Sequence, residues 1–379
     1  MESETFCASL SFVRVWAIIG LLLAGWVRVA GGVEASGNLR LQAGPEVDTN
    51  VRRVYQSQAG EIVSDTLARV ILEGDFRLSM PAQRLEFGYH GGFKIFKEEE
   101  SENFVVSRLR GAYRWQFASR WALGLRAGLQ DTVLRVHDRD YRLSDAELFV
   151  GHRLLTWLEA RIFAGGRHFL FKPDSYRDYE LKFSHAGPEL GLALLAFGAK
   201  PLSVSMQYRL GARFFDQTAR DFIAGTVAVS ARDRIDLRHT AGLRLRSRFR
   251  LFDELGVLVD LSYQLAYNDS NSHGSSAHWH RLQLVTSLQL PWELTLHLMG
   301  ALQFNVYPDG MFVEGDLYDP DADENENSLV LRLKVPLGKR LGVFVQGALY
   351  RNEFHSQQYD VPPFRRETLM LGLSYDLAL

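Results

Sequence analysis

The chain has 379 residues, 46% hydrophobic and 23% charged, with one cysteine and a formal net charge of −2. A charge this near zero leaves no footprint for nucleic acid, and a mean hydropathy of −0.12 excludes a bundle of apolar membrane helices. The chain is too apolar to be disordered. What remains is a soluble fold or a membrane β-barrel, and only side-chain alternation separates the two.

Residues 15–25 (VWAIIGLLLAG) form the one long apolar run. Arg14 precedes it, and Val33-Glu34-Ala35 reads as a small-x-small cleavage site before Ser36. This is the layout of a secretory signal peptide, although Glu2 and Glu4 are unusual in its leading segment. The competing reading, an uncleaved anchor, asks a short run to span a bilayer. The expected division is therefore a signal peptide over 1–35 and one folded domain over 36–379. Cys7 lies ahead of the run, so the mature chain has no cysteine. An exported chain without disulfides needs another closure, and a barrel supplies one by joining its hydrogen-bond ladder end to end.

The mature chain alternates throughout. In 234–251, Ile235, Leu237, Ala241, Leu243, Leu245, Phe249 and Leu251 share one parity. Arg234, Asp236, Arg238, Thr240, Arg244, Arg246, Arg248 and Arg250 share the other. A helix would scatter Arg244, Arg246 and Arg248 over three faces, so the period is 2. The same reading predicts strands near 38–47, 64–79, 84–97, 104–118, 121–135, 141–156, 158–172, 179–196, 202–216, 234–250, 255–268, 279–290, 293–307, 328–337, 341–354 and 366–379. Most exceed the usual 5 to 6 residues of soluble strands. Short turns such as Met80-Pro81-Ala82-Gln83 and Pro291-Trp292 alternate with long polar loops near 49–63, 97–103, 136–140, 173–178, 216–233, 269–278, 307–327 and 355–365. The pattern predicts an all-β, transmembrane, antiparallel up-and-down barrel of about sixteen strands, with both termini at the periplasmic short-turn end. Fourteen or eighteen strands remain compatible with the first strand and with 181–199. Trp115, Phe117, Trp121, Trp157, Phe197, Trp279, Trp292 and Tyr350 fall near strand ends, as interfacial girdles do.

At the chain end Leu369, Leu371, Leu373, Tyr375, Leu377 and Leu379 alternate with Met370, Gly372, Ser374, Asp376 and Ala378. This resembles the last-strand signal of Gram-negative outer-membrane β-barrel proteins of the porin-like superfamily. In that family the final residue is usually aromatic, whereas here it is Leu379. The resemblance implies location in the cell outer membrane, contact with its lipid and lipopolysaccharide, and recognition by the barrel assembly machinery through the last strand.

If the apolar parity faces lipid, the other lines the lumen. Its charges are mostly arginine: Arg69, Arg77, Arg108, Arg110, Arg114, Arg126, Arg161, Arg209, Arg213, Arg238, Arg244, Arg246, Arg248 and Arg332, with Lys334. Glu73, Asp75, Glu86, Glu159, Asp236, Asp260 and Asp376 are the inward carboxylates on this reading. Two readings stand side by side. The arginines pair with carboxylates as an internal network, or they form a cationic lining that favours anions. The second is preferred, with the balancing negative charge placed in the outer loops.

The loop around Asp316, Asp319, Asp321, Asp323, Glu324 and Glu326 supplies oxygen ligands of the kind Ca²⁺ takes, but it lacks the EF-hand glycine and terminal glutamate. A solvated acidic loop explains it as well. His273, His278 and His280 form a second, weaker metal candidate. Barrel enzymes use Ser/His sets at the rim; residues 268–273 supply the types without their motifs. The apolar stretch 222–230 in an expected outer loop reads as a lumen constriction or as extra strand ends. No cofactor is expected. The preferred function is a pore passing polar, anionic solutes. The alternatives are the barrel of an exopolysaccharide secretion system with a periplasmic export partner, and a plugged surface scaffold or adhesin. No bare apolar stretch of outer wall stands out for a trimer contact, so a monomer is expected.

Overall fold

The computed structural model describes residues 33–51, 62–134, 140–171, 184–197, 202–251, 255–309, 327–352, 355–356 and 364–378. In chain order the strands are β1 (Glu34–Asp48), β2 (Asp65–Met80), β3 (Gln83–Phe96), β4 (Phe104–Trp115), β5 (Trp121–Leu134), β6 (Tyr141–Leu155), β7 (Leu158–Phe171) and β8 (His185–Phe197). They continue as β9 (Leu202–Ile223), β10 (Thr226–Leu251), β11 (Leu255–Ser270), β12 (Ala277–Gln289), β13 (Thr295–Tyr307), β14 (Asn327–Pro336), β15 (Leu341–Asn352), β16 (His355–Ser356) and β17 (Phe364–Ala378). Apart from the two-residue β16, which runs parallel to the end of β13, each strand pairs antiparallel with the one before it. The last long strand returns to the first: β17 pairs with β1 from Asn38↔Ala378 to Asp48↔Thr368. The ladder closes as a barrel of sixteen long strands among the described residues.

Closure and alternation together decide the environment. On β17, Leu369, Leu371 and Leu373 are 58%, 54% and 54% exposed, while their inward neighbours Met370 and Ser374 are fully buried. The outer wall repeats this with Leu39, Leu125, Leu148, Ile162, Leu190, Leu302 and Leu331. A wall whose apolar side chains point away from the interior fits hydrocarbon, and the closed ladder leaves no edge strand among the described long strands. The described chain is a closed β-barrel with an apolar outer wall. Leu371→Arg is expected to destabilise the barrel by about 2–4 kcal/mol if it lies near the bilayer midplane. Denaturant titration in lipid vesicles measures this, and a shift below about 0.5 kcal/mol would argue against a lipid-facing wall.

The short turns and the aromatic rim coincide. Trp115, Phe117, Trp121 and Trp157 are exposed at the β4–β5 and β6–β7 turns, and Trp292 is 86% exposed in the turn after β12. Two expected girdle residues do not belong there. Trp279 pairs with Ala266 and packs on Tyr307, and Tyr350 pairs with Arg366, so both point into the lumen. Parity overrides position near a strand end. Phe197 ends β8.

The expected outer loop over 216–233 is the largest correction. β9 and β10 run on past their neighbours, to 22 and 26 residues, and turn at Ala224-Gly225. Both turn residues have positive φ, 51° and 83°, the conformation of a tight two-residue hairpin. Phe222 and Val227 are cross-strand partners in it, so the apolar stretch is a pair of strand ends and not a constriction. β1 begins at Glu34, just before the expected mature start; residues 1–32 lie outside the described residues. So do Asp316, Asp319, Asp321, Asp323, Glu324 and Glu326.

Candidate functional site

The register aligns the polar parity of every strand toward one lumen. Arg108, Arg110 and Arg114 share the inward parity of β4 with Phe104 and Val106, and Arg209 and Arg213 that of β9. Arg238, Arg244, Arg246 and Arg248 lie on one face of β10, and Arg332 and Lys334 on β14. The cross-strand register puts these ten arginines on one parity around the ladder, opposite the exposed apolar residues.

Ion pairs stitch this face together, and both sequence readings contribute. Glu46, fully buried on β1, accepts from Arg69 Nη1 and Lys94 Nζ, each at 2.7 Å. Glu159 takes Arg114 at 2.9 Å and Arg161 at 2.6 Å. Glu147 takes Arg126 at 3.1 Å and Arg209 at 2.9 Å. Asp260 takes Arg244 at 2.5 Å, with Arg246 at 3.9 Å. Glu86 is shared by Arg77 and Arg84, and Asp376 by Arg40 and Lys334. The network exists, and at Glu46, Glu86, Glu159 and Asp260 it sets one carboxylate between two cations, whereas Arg209 also pairs with Glu189 and Arg40 also with Glu73, so those two units balance. Among the described residues Arg332 hydrogen-bonds to amides, Gln346 at 2.7 Å and Gln42 at 3.0 Å, and to no carboxylate. For Arg110, Arg248 and Arg250 there is no ion pair or hydrogen bond among the described residues.

Inward carboxylates are more numerous than the alternation argument placed there. Glu46, Asp48, Asp145, Glu147 and Glu189 were left out of that set, yet all lie on the lumen face. The acidic loops therefore do not hold all of the balancing charge. Glu147 shares parity with Tyr141, Leu143 and Phe149, and because that parity reads as apolar, alternation hides it.

The inward aromatics are the second feature missed by sequence. Phe149 faces Gly124 across the β5–β6 pair, Phe163 faces Gly191 across β7–β8, and Phe344 faces Gly372 across β15–β17. In each case the ring lies over the glycine, where a Cβ would collide with it. Arginines then stack on these rings, which are buried beneath them. Arg126 and Arg161 sit 5.1 and 4.9 Å from the Phe149 centroid, Arg209 4.4 Å from Phe163, and Arg332 4.7 Å from Phe344. Arg238 on Trp279 and Arg366 on Tyr350 repeat the contact toward the outer mouth. A ring supports the flat side of a guanidinium and leaves its N–H edge free for another partner.

The lumen is roomy. A cavity of about 410 Å³ is lined by Arg126, Glu147, Arg209, Arg238, Trp279 and Arg281 among others. A second of about 640 Å³ involves Arg244, Asp260, Ser262 and Gln283. A third of about 890 Å³ lies at the short-turn end. An interior of this strand number is too wide for side chains to fill. The histidine candidates lie elsewhere. His278 and His280 sit on the outer wall against Tyr267 and Tyr263, and His273 stacks on Phe222. Among the described residues no three His, Cys, Asp or Glu side chains cluster as a metal site.

No family model matches the chain, and no curated protein matches it. Solved structures similar in shape include a bacterial polysaccharide outer membrane secretin, 11% identical, with a TM-score of 0.40 over 90% of this chain and 98% of that one. The outer membrane channel DcaP of Acinetobacter baumannii is 13% identical, with a TM-score of 0.48 over 91% and 97% of the two chains. A BenF-like porin from Pseudomonas fluorescens Pf-5 is 9% identical, with a TM-score of 0.42 over 91% and 99%.

Proposed function

We propose that this outer-membrane barrel is a pore whose arginine-rich lumen passes polar, anionic solutes. The observation that carries the reading is the repeated sharing of one lumen carboxylate between two cations, together with arginines held by rings and amides. Such a lining holds a positive potential along the path, and rings of basic side chains select anions in pores. Selectivity then comes from lumen charge and width, without a chemical step.

The test is single-channel recording in planar bilayers, with the reversal potential read in a salt gradient. The wild-type barrel is expected to give steady, anion-selective conductance. Arg110→Gln with Arg332→Gln removes two cations without orphaning a carboxylate, so the fold is spared. The anion-to-cation permeability ratio should fall by at least about threefold. Cation selectivity in the wild type, or silence from a correctly folded barrel, overturns the reading; silence would favour the plugged scaffold or a conduit that opens only with a periplasmic partner.

A further inference from the structure

The two mouths of the lumen hold their cations differently. At the long-loop end, Arg366 is 9% exposed against the fully buried Asp48, Arg234 8% against Asp236, and Lys94 10% against Glu46. At the short-turn end, Arg244 and Arg246 are each 59% exposed. Arg244 engages both oxygens of Asp260, at 2.7 and 2.5 Å, which leaves that carboxylate little capacity for the rest of the ladder. Arg248 and Arg250 continue the same face of β10 and have no ion pair among the described residues. The rungs repeat about every 7 Å, two residues of strand. Around them the cavity of about 890 Å³ presents Ser203, Ser287, Gln289 and Thr295, which are neutral hydrogen-bonding groups.

We propose that this ladder is a binding site for an extended polyanion that enters the lumen from the periplasmic side. The proposal rests on the anionic reading of the pore and adds a direction and a ligand class to it. Like charges at this spacing repel one another when the mouth holds only water and salt. A small anion reaches one or two rungs, and a chain with a charge every several ångströms relieves the repulsion along its length. The hydroxyl and amide neighbours accommodate either carboxylate or phosphate as the repeating charge. At the far mouth Arg366, Arg234 and Lys94 are already committed to buried carboxylates, so the same ligand finds weaker purchase on them.

The test uses the barrel in planar bilayers with orientation read by Gly338→Cys, a short-turn position whose thiol is modified by an impermeant reagent from one chamber only. Tripolyphosphate and a galacturonic acid hexamer are added separately to each chamber. Either probe should block current at a concentration at least tenfold lower from the short-turn side. Block by both assigns the site to charge alone, and block by one identifies phosphate or carboxylate as the ligand. Arg248→Ser with Arg250→Ser should raise the blocking concentration at least tenfold, with folding checked by heat-modifiable gel migration. Titration calorimetry of the same probes against the barrel in detergent should lose its binding in that variant, and this readout needs no conductance. Equal block from both chambers, no calorimetric binding, or binding unchanged in the variant overturns the proposal. The reversal potential in the same membranes is read separately: sided block with no anion preference would sink the selective-pore reading and leave the site standing.

Discussion

Gly44→Val is expected to abolish closure of the barrel, with most of the protein failing to give the compact, heat-modifiable form on refolding. Gly44 lies on β1 at the seam with β17, followed by Pro45, and the pairing of the seam skips both residues between Ala43↔Leu373 and Glu46↔Met370. A Cβ at Gly44 would overlap the carbonyl of Leu371 and lie 2.7 Å from the Gly372 Cα. The colliding atoms are backbone, so relief requires the seam itself to open. Overpacking inside a rigid core costs about 1–3 kcal/mol when side chains can shift, and here they cannot. The same device recurs at Gly187-Pro188 on β8, where the Ala212 carbonyl leans over the glycine and the ladder to β9 is again interrupted. Proline brings no N–H to a ladder, and the neighbouring carbonyl moves in over the bare Cα beside it. Gly347, on the outer face of β15 with nothing within 4 Å of its added Cβ, is the control, and Gly347→Val should fold normally. Wild-type folding of Gly44→Val would refute the close approach.

Glu46→Ala should destabilise the folded barrel by about 3–5 kcal/mol, the range for removing one partner from a buried ion pair. Glu46 is fully buried, and its two partners, Lys94 at 10% and Arg69 at 24% side-chain exposure, would be left facing each other. Denaturant titration in vesicles measures the loss. Glu46→Leu combined with Lys94→Leu should recover most of it, because the unpaired buried ammonium is then gone. Glu86→Ala is the contrast. Glu86 also serves two arginines, but all three side chains are 39–51% exposed, so the change should stay under about 1 kcal/mol. Equal losses at both sites would mean that the Glu46 cluster is hydrated and contributes as little as a surface pair.

Much of the architecture was legible because a barrel wall imposes period 2 on every strand. One residue of slip would turn the apolar face inward, so strand after strand advertises its parity. The runs ending at Leu251, Leu290 and Tyr307 show it openly, and the predicted strand bounds fall within a few residues of most observed ones. The 216–233 segment was misread because polar residues such as Asp216, Asp221 and Asp233 look like loop when they are in fact strand, in a hairpin that runs on past its neighbours. Trp279 and Tyr350 were misread because aromatic residues near strand ends serve two places, the rim and the lumen, and only register separates them.

The sequence alone determined the fold class, the strand order and which side of each strand meets lipid, since these are consequences of alternation and turn spacing within single segments. It also set most of the arginines on the parity opposite the apolar wall. Which arginine is neutralised, which is parked on a ring, and which stands free in water was decided by the tertiary structure. Glu46 meets Lys94 from two strands away, Arg114 meets Glu159 across β5 and β6, and Phe344 finds Gly372 only through the register of β15 on β17. Those distances are set by stagger around the closed ladder, and no single strand encodes its stagger against the next.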